Sequence, residues 1–399
     1  MVGDGAVPTG FGRVLTQIGL SLKQDYELHH LAVNHHGDPH DLPWKLYPAG
    51  VYGDTYGHNR LGPLIEKIKP ALVLTLADLH TMASYAKIFR HYRRDILSVG
   101  YFPVDGAPMK PAIAESLIPY DHLVAFNHFG ASTMRAALES AIQNNAEVFP
   151  RDFEIIPHGI EDEIFHPMDG GMGQDRSEAK KRLFPDTEEF RDSFIVFNGN
   201  RNQSRKRIDV TMKGFALFAQ EKPPTVKLYL HMGTRDLGWD IIELATRLGI
   251  DDRLLLTSRN EKLAWESEET QNLIYNACDV GINTSNGEGW GLVSFEHAAT
   301  GACQLVPNHS GCGELWQGNA EMMEPTYSIT NTSLMSEDQN LTEQTVADAL
   351  EKVYLDPKYR RELAQKAYRF VTQDQFRWKT IGERWRCYLD KIQRTHPSA

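Results

Sequence analysis

Two glutamates frame the stretch NGEGWGLVSFEHA (286–298), with Glu288 among glycines and Glu296 in the helix-like run that follows. At about 100° per residue, Phe295, Ala299, Leu292 and Val293 sweep one apolar arc, and Glu296 falls inside it, between Leu292 and Val293. A carboxylate there loses water and requires a partner. Backbone N–H groups from Gly289, Trp290, Gly291 and Leu292 open the helix and suit hydroxyls or phosphate. One Glu can take a pair of sugar hydroxyls and the other a ribose diol. The plainer reading is a capping Glu on an ordinary amphipathic helix, and the inward position of Glu296 weighs against it.

A second constellation is NGNRNQSRKR (198–207), just after the apolar run SFIVFN. Arg201, Arg205, Lys206 and Arg207 repel one another on a bland turn, whereas forked guanidiniums beside an ammonium suit a diphosphate. Asn200 lies in the same turn. In open α/β sheets ligands bind at such carboxyl ends of strands. A solvated basic turn is the alternative.

A third is GDGAVPTGFG (3–12), glycines that open a helix and let a ligand approach backbone N–H groups, with Gly10 the candidate contact. A nicotinamide dinucleotide is rejected, because the third glycine of that fingerprint is absent and the second strand ends in Asn34. The stretch also fits a plain turn. It leaves almost nothing for a first strand, so either the numbering starts late or that strand is vestigial. His29, His30, His35, His36 and His40 straddle a strand and loop with no helical i,i+4 pair and no nearby Cys, and read as chance clustering; no metal site is expected.

The elements that must position these residues alternate between strand and helix. Arg13–Leu22 reads as a helix with Thr9 as its cap, 26–34 as a strand, 61–69 as a helix and 70–78 as a buried strand. Strands follow near 97–104, 122–126 and 153–156, while 35–60 reads as loop. After a charged, Gly-rich stretch (169–192) a second cycle begins, with strands at 193–200, 226–233, 253–258 and 277–285 and a helix at 207–220. The expected fold is therefore α/β, with two Rossmann-like domains facing a cleft. The helical tail 359–392 breaks near 372–375, and Phe376, Ile381, Trp385 and Tyr388 fall roughly on one side of its last helix. The expected organisation is a first domain over 1–165, a second over 166–372, and a last helix over 373–399 that packs back on the first.

The totals set limits. With 399 residues, two domains are the natural size. The formal charge of −11 weighs mildly against nucleic acid. No apolar run reaches membrane-span length, and no secretory leader opens the chain. Cys278, Cys303, Cys312 and Cys387 fit neither a disulfide framework nor a zinc spacing. Sequons at Asn202 and Asn283 fall in the proposed site, where a glycan would block it. A cytoplasmic location is expected.

The motifs together, in this order, resemble the retaining glycosyltransferases of family 4, which have the GT-B fold. VPTGFGRVL looks like the family's glycine loop, and IIPHGIEDEIFHP (155–167) like the segment that ends its first domain. NRNQSRKRID looks like its diphosphate clamp, in a variant shared with virus-encoded members, and YNACDVGINTSNGEGWGLVSFEHAATG like its E-x7-E signature. The resemblance implies a nucleoside-diphosphate sugar as donor, held by the second domain, with an acceptor of unknown identity on the first. It implies that Lys206 and one of Arg201 or Arg205 hold the diphosphate, that Glu288 contacts the transferred sugar, and that Glu296 holds the ribose. Where family members often carry a His, this chain reads YFPVDG, and Asp105 takes that place. Fixed cations on the leaving group stabilise its growing charge, so no metal or other cofactor is expected. In the retaining reaction the departing phosphate oxygen takes the acceptor's proton on the same face. The expected activity is transfer of a hexose or similar sugar to a hydroxyl of a glycan, protein or lipid. A degenerate nucleotide-sugar-binding protein and a transferase acting on modified DNA are the alternatives.

Overall fold

The computed structural model describes residues 1–51, 53–92, 95–144, 151–168, 175–262 and 266–395. The chain divides into two compact units. One comprises Met1–Gly159, Asn331–Ser336 and Asp374–Ala399, the other Ile160–Thr330 and Glu337–Gln373.

Among the described residues the first unit holds a seven-stranded parallel sheet. Its strands are β1 (Val2–Asp4), β2 (His29–Val33), β3 (Lys45–Pro48), β4 (Leu72–Leu76), β5 (Leu97–Phe102), β6 (His122–Ala125) and β7 (Glu154–Ile155). The spatial order β3-β2-β1-β4-β5-β6-β7 is that of a doubly wound sheet, whose switch point lies between β1 and β4. The first strand is short but fully in register, with Val2 opposite Leu31 on one side and Thr75 on the other. The 35–60 segment is not all loop. β3 lies within it, and its half-exposed residues carry none of the continuous apolar signal that makes LVLTL in β4 legible.

Helix Gly10–Leu22 follows β1, capped by Thr9, whose hydroxyl accepts from Gly12 N at 3.0 Å. It buries Val14, Leu15, Ile18 and Leu22. The last helix, Trp378–Thr395, packs within the same unit: Gly382 fits against Ser21, Trp385 meets the Tyr101 ring edge-on at 4.9 Å, and Arg386 bonds Asp25 at 2.6 Å and Ser21 O at 2.8 Å. Leu389 and Ile392 complete its buried stripe, while Tyr388 is half-buried.

The second unit repeats the pattern over β8 (Phe194–Asn198), β9 (Val226–Leu230), β10 (Leu254–Leu256), β11 (Val280–Ile282), β12 (Cys303–Pro307) and β13 (Glu321–Met323). Their order is β10-β9-β8-β11-β12-β13, all parallel, with the switch point between β8 and β11. An antiparallel hairpin, β14 (Tyr327–Thr330) with β15 (Glu337–Asn340), follows. Both units are Rossmann-like, and the fold class is α/β. Among the described residues no helix is long and apolar enough to cross a membrane.

Candidate functional site

The strand order reverses between β8 and β11, and in open α/β sheets ligands bind at the carboxyl ends of the strands at such a point. The basic turn and the glutamate loop emerge there side by side. After β8, Asn198 accepts from Asn200 N at 3.0 Å through its side-chain carbonyl and donates to Thr211 Oγ1 at 2.9 Å, which shapes the first bend. Ser204–Lys206 form one 3-10 turn, and Arg207, at φ +48°, redirects the backbone into helix Ile208–Ala219. The loop after β11 is stitched to this turn: Thr284 Oγ1 lies 3.1 Å from Lys206 O and 2.9 Å from Arg207 O, and Asn286 N donates to Arg205 O at 3.0 Å.

These backbone contacts aim Lys206 and Glu288 at each other. Lys206 Nζ donates to Glu288 Oε2, Arg205 Nη1 lies 3.9 Å from Glu288 Oε1, and Ser285 Oγ reaches Oε2 at 3.3 Å. Burial alone pushes the Glu288 carboxyl up, but the charges of Lys206 and Arg205 and hydrogen bonds from Lys206 and Asn283 outweigh it and hold the group at about 2. Glu288 is thus an anion, compensated by cations from the other loop. Its backbone is held as well: Glu288 N donates to Ser310 Oγ at 3.1 Å, and Gly311 N donates to Glu288 O at 2.9 Å.

Gly291, at φ +90°, turns the chain into helix Leu292–Ala299. That conformation favours glycine. Trp290 is buried with its ring 5.0 Å from that of Phe295, so the indole belongs to the core beneath the loop. Glu296 points inward, 4 % exposed, and its Oε2 accepts from Tyr275 Oη at 2.7 Å. The partner demanded by its position is supplied from within the protein.

The sequence left Arg201 and Arg205 as alternatives for the clamp, and the structure separates them. Arg201 grips Asp236 with Nε to Oδ2 and Nη2 to Oδ1 at 3.2 Å, and its side chain is 54 % exposed. Arg205 lies with Lys206 and Glu288. Asn200, Gly289, Trp290, Gly291, Leu292 and Glu296 all belong to this unit, whereas Gly10 and Asp105 belong to the first. There Gly10 is the exposed first residue of its helix after β1, and Asp105 follows β5, so both stand at the carboxyl end of that sheet. Asn202 and Asn283 are buried, Asn202 donating to Gly233 O at 3.0 Å and to Trp239 O at 2.7 Å, which leaves no room for a glycan at either.

Sequence reasoning passed over Asp236, Tyr275, Ser285, His309 and Ser310. His309 Nε2 lies 3.1 Å from Ser285 O and Nδ1 3.0 Å from Ser310 Oγ, and burial lowers it to about 4. Its neutral ring therefore bridges the loop after β12 to the Glu288 loop. The carboxyl-end rule applied to the next strand was the signal that could have found it. The clustered histidines have separate surroundings: His29 meets Tyr47 and Glu27, His30 is buried against Gly3 O, and His35 sits edge-on to His40. Among the described residues no group of three or more His, Cys, Asp or Glu side chains is placed to hold a metal.

Residues 262–384, which contain both Glu288 and Glu296, match the family described as Family 4 Glycosyltransferase in conflict systems. The match spans less than a third of the chain. No curated protein sequence matches it. Among solved structures, Anabaena HepE in complex with UDP-glucose is similar over 98 % of this chain and 100 % of its own, at TM-score 0.68 and 15 % identity. The sucrose-phosphate synthase of Thermosynechococcus elongatus is similar over 99 % and 96 %, at 0.70 and 16 %. WaaG, a glycosyltransferase involved in lipopolysaccharide biosynthesis, is similar over 100 % and 99 %, at 0.64 and 13 %. At these identities the likeness is one of fold, and that fold is GT-B.

Proposed function

We propose that this protein is a glycosyltransferase that moves a hexose or similar sugar from a nucleoside-diphosphate sugar to a hydroxyl acceptor, with retention at the anomeric carbon and without a metal. The observation that carries the reading is the junction of Lys206 and Arg205 with Glu288 at the β8/β11 switch point. Two fixed cations share one sealed carboxylate, which leaves one positive charge uncompensated. A diphosphate entering it meets Lys206 and Arg205 on one side, and Glu288 accepts from the hydroxyls of the sugar it carries. As the sugar–phosphate bond breaks, charge grows on the leaving diphosphate, and the same cations stabilise it without reorganising. The departing oxygen takes the acceptor's proton. Glu296 holds the ribose diol. The UDP-glucose bound to HepE supports a nucleotide donor here.

Purified protein incubated with UDP-, GDP- and ADP-glucose tests this directly. Release of nucleoside diphosphate that quickens with a hydroxyl acceptor is the expected result. A thermal shift without turnover for every donor would favour the degenerate binder. The pairing of Lys206 with Glu288 and of Arg201 with Asp236 lends that reading its support, since both cations already have carboxylate partners. A glycan, a protein, a lipid and modified DNA are the acceptor classes to compare.

A further inference from the structure

Glu296 and Tyr275 meet in the core of the second unit, each almost sealed from solvent, through a 2.7 Å hydrogen bond from the phenol to Oε2. Tyr275 comes from helix Glu268–Ala277 and Glu296 from helix Leu292–Ala299. Rings on several sides fix the tyrosine: His297 stacks on it at 5.4 Å, Phe165 stands edge-on at 5.5 Å and Phe197 edge-on at 5.2 Å. One helical turn earlier, Gln271 Nε2 donates to Tyr275 Oη at 3.1 Å. The phenol can give only one proton, and Gln271, by donating to it, leaves that proton for the carboxylate. A relay therefore runs Gln271 to Tyr275 to Glu296, with every donor aimed at the anion.

From this geometry we infer that Tyr275 is a positioning residue for ribose recognition: it holds Glu296 oriented, so that both ribose hydroxyls of a nucleoside diphosphate find acceptors. The inference rests on the assignment of Glu296 to the ribose made above. A ribose diol brings two donors. A carboxylate offers two acceptor oxygens to such a pair. Donation to Oε2 fixes the plane in which the carboxylate presents its oxygens. Removing the phenol oxygen takes away the hydrogen bond that turns the carboxylate plane. Affinity for the diol is lost, while the phosphate clamp, built on different elements, stays as it was. The base plays no part, so the effect is common to uridine, guanosine and adenosine diphosphates.

The test measures binding of UDP, GDP and ADP, each beside its 2′,3′-dideoxy counterpart, by calorimetry on the full chain and on Tyr275→Phe, Glu296→Gln and Gln271→Ala. The expected result is an about tenfold or greater weakening of ribose nucleotides by Tyr275→Phe, with the dideoxy forms little changed. Gln271→Ala should show a smaller loss of the same dideoxy-blind kind, which keeps the test available if Tyr275→Phe does not fold. In turnover, Tyr275→Phe should raise KM and leave kcat within about twofold. Equal weakening of ribose and dideoxy nucleotides would reduce Tyr275 to a packing role and overturn the inference. If Glu296→Gln itself keeps the full preference for ribose, the assignment of Glu296 fails and the inference falls with it. If Glu296→Gln abolishes that preference and Tyr275→Phe leaves it intact, the assignment stands and the inference alone fails.

Discussion

The ammonium of Lys206 and the carboxylate of Glu288 form an ion pair from which water is nearly excluded, the two residues being 9 % and 7 % exposed. Removing one partner of such a pair strands the other. Lys206→Ala is expected to cost about 3–5 kcal/mol of stability and to cut kcat/KM by two orders of magnitude or more, roughly 3 kcal/mol of transition-state stabilisation. The double change Lys206→Met with Glu288→Gln should recover most of the melting temperature and none of the turnover. Near-normal kinetics in Lys206→Ala would remove the clamp from the site.

The same pair shapes the acid response. Glu288 is held at about 2 against an ordinary value of 4.5, so it contributes stability above pH 4.5 that is lost as pH falls towards 2. Urea unfolding of wild type and Glu288→Gln between pH 6 and 3 should show the difference between them shrinking below pH 4.5. A constant difference would mean that Glu288 titrates normally.

Four histidines act at higher pH. His30, His158 and His297 are lowered to about 3 and His309 to about 4, in each case chiefly by burial. All are neutral in the folded protein and take up protons on unfolding below pH 6.5. Stability should therefore fall as pH drops from 6.5 towards 4, before most carboxylates titrate, with each group adding up to about 1.4 kcal/mol per pH unit. Potentiometric unfolding at pH 5 that releases protons, or takes up none, would contradict this.

Metal independence is open to a simple measurement. In the proposed reaction Lys206 and Arg205 offset the diphosphate charge in place of an ion, so turnover should survive EDTA. Loss on chelation with recovery in Mn²⁺ or Mg²⁺ would overturn that part of the proposal.

How far the residues alone could lead depended on range. Runs such as LVLTL and FIVFN announce buried parallel strands because both faces are covered, and the turns that follow them could be named as ligand loops. The inward Glu296 was legible from helical spacing within its own segment. Its partner was not, because Tyr275 lies 21 residues earlier on a different helix, and no local pattern pairs them. Arg201 and Arg205 could not be separated by spacing either. What divides them is Asp236, after the neighbouring strand β9, together with a 3-10 turn closed by a left-handed Arg207. Short edge strands such as β3 escaped because half-exposed residues erase the alternation on which such a reading depends.

The last prediction concerns the C-terminal helix. Trp378–Thr395 buries Ile381, Trp385, Leu389 and Ile392, and Trp385 fits edge-on to Tyr101, itself bonded to Ile156 O at 2.7 Å. Gly382 lies against Ser21 so closely that a Cβ there would collide with the serine side chain, and Gly159 is in the same position towards the Trp378 indole. The helix is therefore part of the core of the first unit, and its removal uncovers one face of Gly10–Leu22. Trp385→Ala should cost about 3–5 kcal/mol, and Gly382→Leu should destabilise by forcing the helices apart. Deleting residues 374–399 should go further and unfold the first unit at a temperature where the second, with Lys206, Arg205 and Glu288 in place, stays folded. Calorimetry should then resolve two transitions where the intact chain shows the first unit melting later, and nucleotide binding should outlast sugar transfer. A truncated chain with an unchanged melt and full turnover would show that this aromatic stripe contributes nothing the first unit requires.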